Sequence, residues 1–175
     1  MRAENDLARF EQVIVPHLDA AYNLARWLTG NDHDAQDVVQ EASLRAVQFF
    51  GSFHGYAGRA WLLAIVRNTC FTWLQKNRGR EPAAIFDEDI HSPANEAASP
   101  QQLLLREEDH QLLHQALEEL PLEFREVIVL RELEGLSYKE IAEIAAIPVG
   151  TVMSRIARGR DRLQQLLTRR LKRDT

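Results

Sequence analysis

From Leu7 to Leu28 apolar side chains return every three or four positions, through Phe10, Ile14, Leu18, Ala21 and Leu24. That spacing writes one stripe along a helix, whereas a strand would alternate at every second residue. Thr29-Gly30-Asn31 ends the stripe, and Asp32 or Asp34 can cap a second helix through Val38, Val39, Ala42, Ala46 and Phe49. "FFGSFHGYAG" interrupts it with three glycines, and a third helix follows from about Gly58 to Lys76. Residues 79–101 hold three prolines, five acids and no apolar period, the composition of a linker. Beyond it Leu103 to Leu120 reads as a helix, Pro121 can open another, Leu133 to Ser137 closes that one, and two more flank Ile147-Pro148. With no strand alternation and no internal repeat, the fold class is all-α, as two small helical domains. We expect a three-helix unit over 1–80, a flexible acidic linker over 81–101 and a second domain over 102–175.

A chain of 175 residues, 45% of them hydrophobic, can bury one moderate core or two small ones. No apolar run approaches the roughly 20 residues that cross a bilayer, and "MRAENDLARF" places acids where a signal peptide needs a basic and then an apolar stretch. A cytoplasmic protein with no membrane insertion is expected. The single cysteine, Cys70, has no disulfide partner and reads as a small buried hydrophobe. Among the six histidines only His110 and His114 share the i,i+4 spacing used by metal sites, with no glutamate directly after His110. No nucleophile motif or phosphate-cradling glycine loop is evident, so we expect no catalysis, no metal and no cofactor.

The formal net charge of −5 conceals four blocks. Residues 1–41 hold 3 basic and 8 acidic side chains, 42–80 hold 6 and none, 81–154 hold 4 and 16, and 155–175 hold 8 and 2. Two basic blocks separated by acid suit two separate contacts with one long polyanion, and nucleic acid is the natural candidate. The first basic block is also rich in aromatics: ten of the thirteen lie before residue 79, seven of them within residues 42–80.

The second block belongs to "SYKEIAEIAAIPVGTVMSRIARGRDRL", Ser137 to Leu163. Ser137 and Glu140 stand at capping-box spacing, with Ile141, Ala142 and Ala145 facing inward. Pro148 fits the first turn of a following helix that sends Val152, Ile156 and Leu163 to the core. Its opposite face carries Ser154, Arg155, Arg158, Arg160 and Arg162. Two short helices around a tight turn, the second one basic, describe a helix-turn-helix whose second helix enters a major groove.

These residues resemble the extracytoplasmic-function (ECF) class of bacterial RNA polymerase sigma factors. "LRELEGLSYKEIAEIAAIPVGTVMSRIARGRDRL" looks like the family's fourth conserved region, "DHDAQDVVQEASLRA" like the polymerase-binding part of its second, and "AWLLAIVRNTCFTWLQKNR" like its promoter-melting helix. The resemblance runs from about Leu7 to Leu171, three motifs in the right order. It implies a dissociable initiation subunit that binds core RNA polymerase, captures the minus-ten element as a single strand and reads the minus-thirty-five element as duplex. In many members an anti-sigma protein is a regulatory partner.

Asp34, Asp37, Gln40 and Glu41 recur at helical steps on one face, and the resemblance makes them the polymerase-docking residues. For minus-ten DNA it implies Phe53, Arg59, Arg67, Asn68, Trp73 and Lys76, with Phe53 and Asn68 shaping a base pocket and Phe53 to Arg59 forming a specificity loop slightly shorter than the usual pattern. For minus-thirty-five DNA it implies Thr151, Met153, Ser154, Arg155 and Arg158, with Tyr138 and Lys139 near phosphates. The acidic linker resembles the segment that threads the polymerase cleft toward the RNA exit path. Two positions depart from the family. Ala146 replaces the usual turn glycine, so either the turn avoids positive φ or it carries strain of about 1 kcal/mol. Met153 replaces a common Lys or Arg, which lowers the expected salt dependence. A conventional helix-turn-helix regulator would account for Ser137 to Leu163, but it leaves the acidic face and the aromatic basic block without a use.

Overall fold

The computed structural model describes residues 1–55, 57–77 and 100–173, with side chains from residue 107 onward in the last stretch. All regular structure among them is helical: α1 (Arg2–Val13), α2 (Leu18–Thr29), α3 (Asp32–Phe49), α4 (Gly58–Lys76), α5 (Pro100–Glu119), α6 (Leu122–Ile128), α7 (Tyr138–Ala145) and α8 (Val149–Arg173). None of these helices is long and apolar enough to cross a membrane. Most of the linker and Tyr56 lie outside the described residues.

The stripe from Leu7 to Leu28 is not one helix. Proline lacks the N–H that continues a ladder and its ring crowds the preceding turn, so at Pro16 the chain passes through a 3-10 turn, Val15–His17, and restarts as α2. The N-terminal unit therefore has four helices rather than three. The period survives the break because Ile14 is fully buried just before the turn, while Ala21, Leu24 and Leu28 continue the core beyond it.

Gly30 adopts φ 89°, a left-handed value open to glycine, and its N–H bonds the Arg26 carbonyl to close α2. The cap of α3 is then Asn31, not Asp32 or Asp34: its extended backbone turns the side-chain oxygen to the Asp34 N–H at 2.8 Å. Asp32 is drawn instead to the Arg26 Nε at 2.6 Å and the Tyr22 hydroxyl at 2.8 Å. Ala35, Val38, Ala42 and Ala46 bring α3 close to α2 and α4, whose Leu62, Leu63, Val66 and Cys70 complete the first core.

In the C-terminal half Pro121 precedes α6 as its cap residue, and α6 runs into a π-helical turn, Val129–Leu133. Buried Phe124, Val127, Ile128 and Leu130 face Ile141, Ile144, Val152 and Ile156 from the two helices of the helix-turn-helix. A Cβ at Gly159 would lie 2.9 Å from Ile128 Cγ1, so glycine permits the close approach of α8 to α6.

The two helical groups pack on each other, α7 against α4 and α6 against α2, in one continuous cluster of buried residues. Arg125 fastens this seam by donating to the carbonyls of Leu117, Glu118 and Leu120 and, across it, of Trp27 at 3.2 Å. The Trp27 ring also lies on His114, centroids 4.5 Å apart. Burial and the charges of Arg26 and Arg125 push His114 down to about 4, so it is neutral there at ordinary pH.

Candidate nucleic-acid and polymerase interfaces

The outer side of α3 is acidic because its inner side is spent on the core. Asp37, Gln40 and Glu41 are exposed; Asp34 is half-buried and bonded to the Asn31 side chain. Glu41 accepts from Arg45 at 2.8 Å, and His33 Nε2 lies 3.7 Å from Asp37. Exposed i,i+4 pairs of this kind contribute about 0.3–0.5 kcal/mol, so the face is free to be judged as a binding surface rather than a structural one. One turn on, Leu44 is 69% and Val47 60% exposed. The sequence reading missed them; their signal was Leu44, four residues from Gln40 and three from Glu41, followed by Val47 three residues on, along the polar side of the helix.

The residues ahead of α4 form an aromatic cluster. Phe53 is buried, its ring 4.9 Å from Trp61 and 5.9 Å from Phe50, so it faces the core rather than an open pocket. Further along α4, Asn68 and Lys76 are exposed, while Arg59 and Trp73 are half-buried. The Arg59 charge acts on His17, which burial holds below its usual value, and on Glu134, which burial lifts.

Arg67 is engaged within the protein. Its Nε donates to Glu126 Oε1 at 2.5 Å, and its guanidinium lies over the Phe71 ring at 3.9 Å. Glu126 comes from α6 and is fully buried. Burial raises its carboxyl above the usual glutamate range, opposed by the Arg67 hydrogen bond and by the charges of Arg67 and Arg155. An acid inside the apolar run Phe124 to Leu130 was the signal for this partner, and the sequence reading did not use it. Cys70, nearby, has its thiol pushed up to about 12 by burial and by Glu126, so it is an inert core residue.

The helix-turn-helix is built as its spacing predicts. Ser137 and Glu140 form a reciprocal capping box. The turn residue Ala146 sits at φ 55°, ψ 46°, the strained of the two alternatives. The carbonyl of Pro148 accepts from Thr151 and Val152 at the start of α8. Val152 and Ile156 point inward, which leaves Met153, Ser154 and Arg158 exposed and Thr151 and Arg155 half-exposed. On α7 Lys139 is exposed and the Tyr138 ring lies under Arg131 at 4.5 Å. Not every arginine of α8 is available: Arg160 bonds Glu132, which raises its basicity, and Arg162 lies 5.6 Å over Phe124. Thr151, Ser154, Arg155 and Arg158 thus recur at steps of three and four along one side of α8, with Met153 exposed beyond its edge, the geometry by which a helix reaches base edges.

Comparison with known proteins places the chain in one family. The family described as Sigma-70 region 2 matches residues 13–80, and Sigma-70, region 4 matches residues 110–163. Over 160 residues the chain is 35% identical to the ECF RNA polymerase sigma factor SigE of Mycolicibacterium smegmatis, covering 91% of this chain and 62% of that protein. It is 42% identical over 135 residues to the ECF RNA polymerase sigma-E factor of Escherichia coli, 73% of this chain and 71% of that one. The solved structure of the sigma factor RpoE with the anti-sigma factor NepR from Bartonella quintana is similar at a TM-score of 0.70 and 32% identity, covering 91% of this chain and 97% of that one. The chain belongs to the ECF class of RNA polymerase sigma factors.

Proposed function

We propose that this chain is a promoter-recognition subunit of RNA polymerase, acting in the cytoplasm and catalysing no reaction itself. The observation that carries the reading is the row Thr151, Ser154, Arg155 and Arg158, with exposed Met153 beside it, on the second helix of a helix-turn-helix whose first helix carries a capping box, in a chain that also carries the acidic α3 face and the basic α4. In this reading residues 102–175 bind the minus-thirty-five duplex, with Tyr138 and Lys139 at phosphates. Residues 1–80 bind core polymerase through Asp34, Asp37, Gln40 and Glu41, with Leu44 and Val47 extending the contact. Arg59, Arg67, Asn68, Trp73, Lys76 and the loop beginning at Phe53 hold the melted minus-ten strand, and the acidic segment 81–101 occupies the polymerase cleft.

The chemistry of strand opening is capture. A strand whose bases have unstacked is held by cations on its phosphates and by rings or pockets at its bases, so binding energy offsets the lost stacking. Arg67 bonds Glu126 of α6, so in this reading it takes a phosphate by giving up that partner. The same packing suits regulation by an anti-sigma partner that favours one arrangement of the two helical groups; the similarity to RpoE, solved with NepR, supports that part.

The test is run-off transcription with core polymerase, the purified chain and a library of promoter fragments, read by sequencing. Transcripts starting downstream of one shared two-part motif are expected. No transcript, together with tight binding of the chain alone to duplex DNA, would instead make it a polymerase-independent regulator.

A further inference from the structure

The loop between α3 and α4 is held at both ends by α1, whose last residue, Val13, is the first of the region 2 match. At its entry Arg9 of α1 donates from Nη2 to the Phe53 carbonyl at 3.1 Å, and its guanidinium lies 5.1 Å from the Phe50 ring centre and 5.6 Å from that of Phe53. At its exit Gly58 abuts the last turn of α1: a Cβ there would lie 2.4 Å from the Val13 carbonyl oxygen and 2.6 Å from Val13 Cγ1. Phe10 of the same helix meets Phe50 edge to face, centroids 5.2 Å apart. Arg9 and Val13 are one helical turn apart, a spacing of about 6 Å along the axis. A rigid helix therefore sets how far apart the loop's two ends stand, while His54, Gly55 and Ala57 between them are exposed.

A backbone hydrogen bond from a charged donor is stronger than a neutral one, and a cation over two rings resists displacement of either. No residue of α1 is fully buried, and Arg9 meets the core from its edge, over the rings of Phe50 and Phe53. We propose that Arg9 is a positioning residue for base selection at the minus-ten element, acting through the Phe53 carbonyl on the loop from Phe53 to Arg59. The inference rests on the reading that this loop contacts the minus-ten strand.

The experiment uses holoenzyme reconstituted from core polymerase and the full chain, with promoter libraries randomised separately in the two elements. Arg9→Gln, Arg9→Lys, His54→Ala and wild type are compared by sequencing their transcripts. For Arg9→Gln, loss of one charge-assisted hydrogen bond predicts about a three- to tenfold change in the ratio of the preferred to the next base at a minus-ten position. Selection within the minus-thirty-five element should stay unchanged, and Arg9→Lys, which keeps the charge over the rings, should restore part of the preference. A merely structural arginine would lower all transcripts together and leave both base profiles as they were. If His54→Ala alters the minus-ten profile and neither Arg9 variant does, the positioning role is overturned and the loop reading stands. If none of the three alters it, the loop reading fails and the role falls with it. Arg9→Lys carries the decision should Arg9→Gln melt early.

Discussion

Removing Arg67 tests the seam between the two helical groups. Glu126 is fully buried, and the Arg67 side chain that bonds it is 17% exposed. Deleting one partner of a buried pair leaves a desolvated charge and costs about 3–5 kcal/mol. Arg155, whose charge also acts on Glu126, retains part of the compensation, which favours the lower end. Loss of the guanidinium from the Phe71 face adds about 0.5–1 kcal/mol. We therefore expect Arg67→Ala to lose about 3.5–4 kcal/mol, which at a slope of about 2 kcal/mol per molar lowers the urea midpoint by about 2 M. Replacing both residues with apolar ones, Arg67→Met with Glu126→Leu, should return the midpoint to within about 0.5 M of wild type, since apolar pairs of similar volume substitute well for buried ions. The pH dependence has a definite sign. The Glu126 carboxyl is raised in the folded protein, so its contribution is full below the ordinary glutamate value and is lost as pH rises through the raised one. Arg67 opposes that rise, so the Arg67→Ala penalty should grow as pH rises above the ordinary glutamate range. A single variant that loses less than about 0.5 M, or a double variant no better than the single, would refute the claim that this pair is coupled across the seam.

Ala146→Gly should stabilise the chain by about 0.5–1 kcal/mol, because it relieves a positive φ of 55° at some entropic penalty in the unfolded chain; thermal unfolding measures it. Ser137→Ala removes one arm of the capping box and should lower stability by about 1 kcal/mol in the same assay. Reversing Asp37 and Glu41 to lysine should weaken core-polymerase binding in a pull-down while leaving the melting temperature unchanged, since both side chains are exposed. His114 is depressed to about 4, so its contribution is full above about pH 6.5 and is lost as pH falls toward 4; His114→Phe should flatten that limb of the stability curve.

Local features were legible where a local rule decides them. The break at Gly30, the capping box at Ser137 and Glu140 and the span Gly58–Lys76 all follow from residues within one or two turns of each other. Pro16 could have been read the same way, but the apolar period continues across it, and periodicity does not register a change of axis. The cap of α3 went to Asn31 because Arg26 and Tyr22 compete for Asp32, and those partners come from another helix.

By itself the sequence determines that the chain is helical, where most helices start and stop, which face of each is apolar and where the basic side chains cluster, because all of these depend on spacing along the chain. Tertiary structure alone decides which cations are available. Arg67 is spent on a carboxylate 59 residues away, Arg160 on Glu132 and Arg9 on the Phe53 carbonyl, while Arg158 and Lys139 stay open to solvent. The physical reason is that a charge taken out of water must find a partner in space, and periodicity along a chain carries no information about which distant residue that will be.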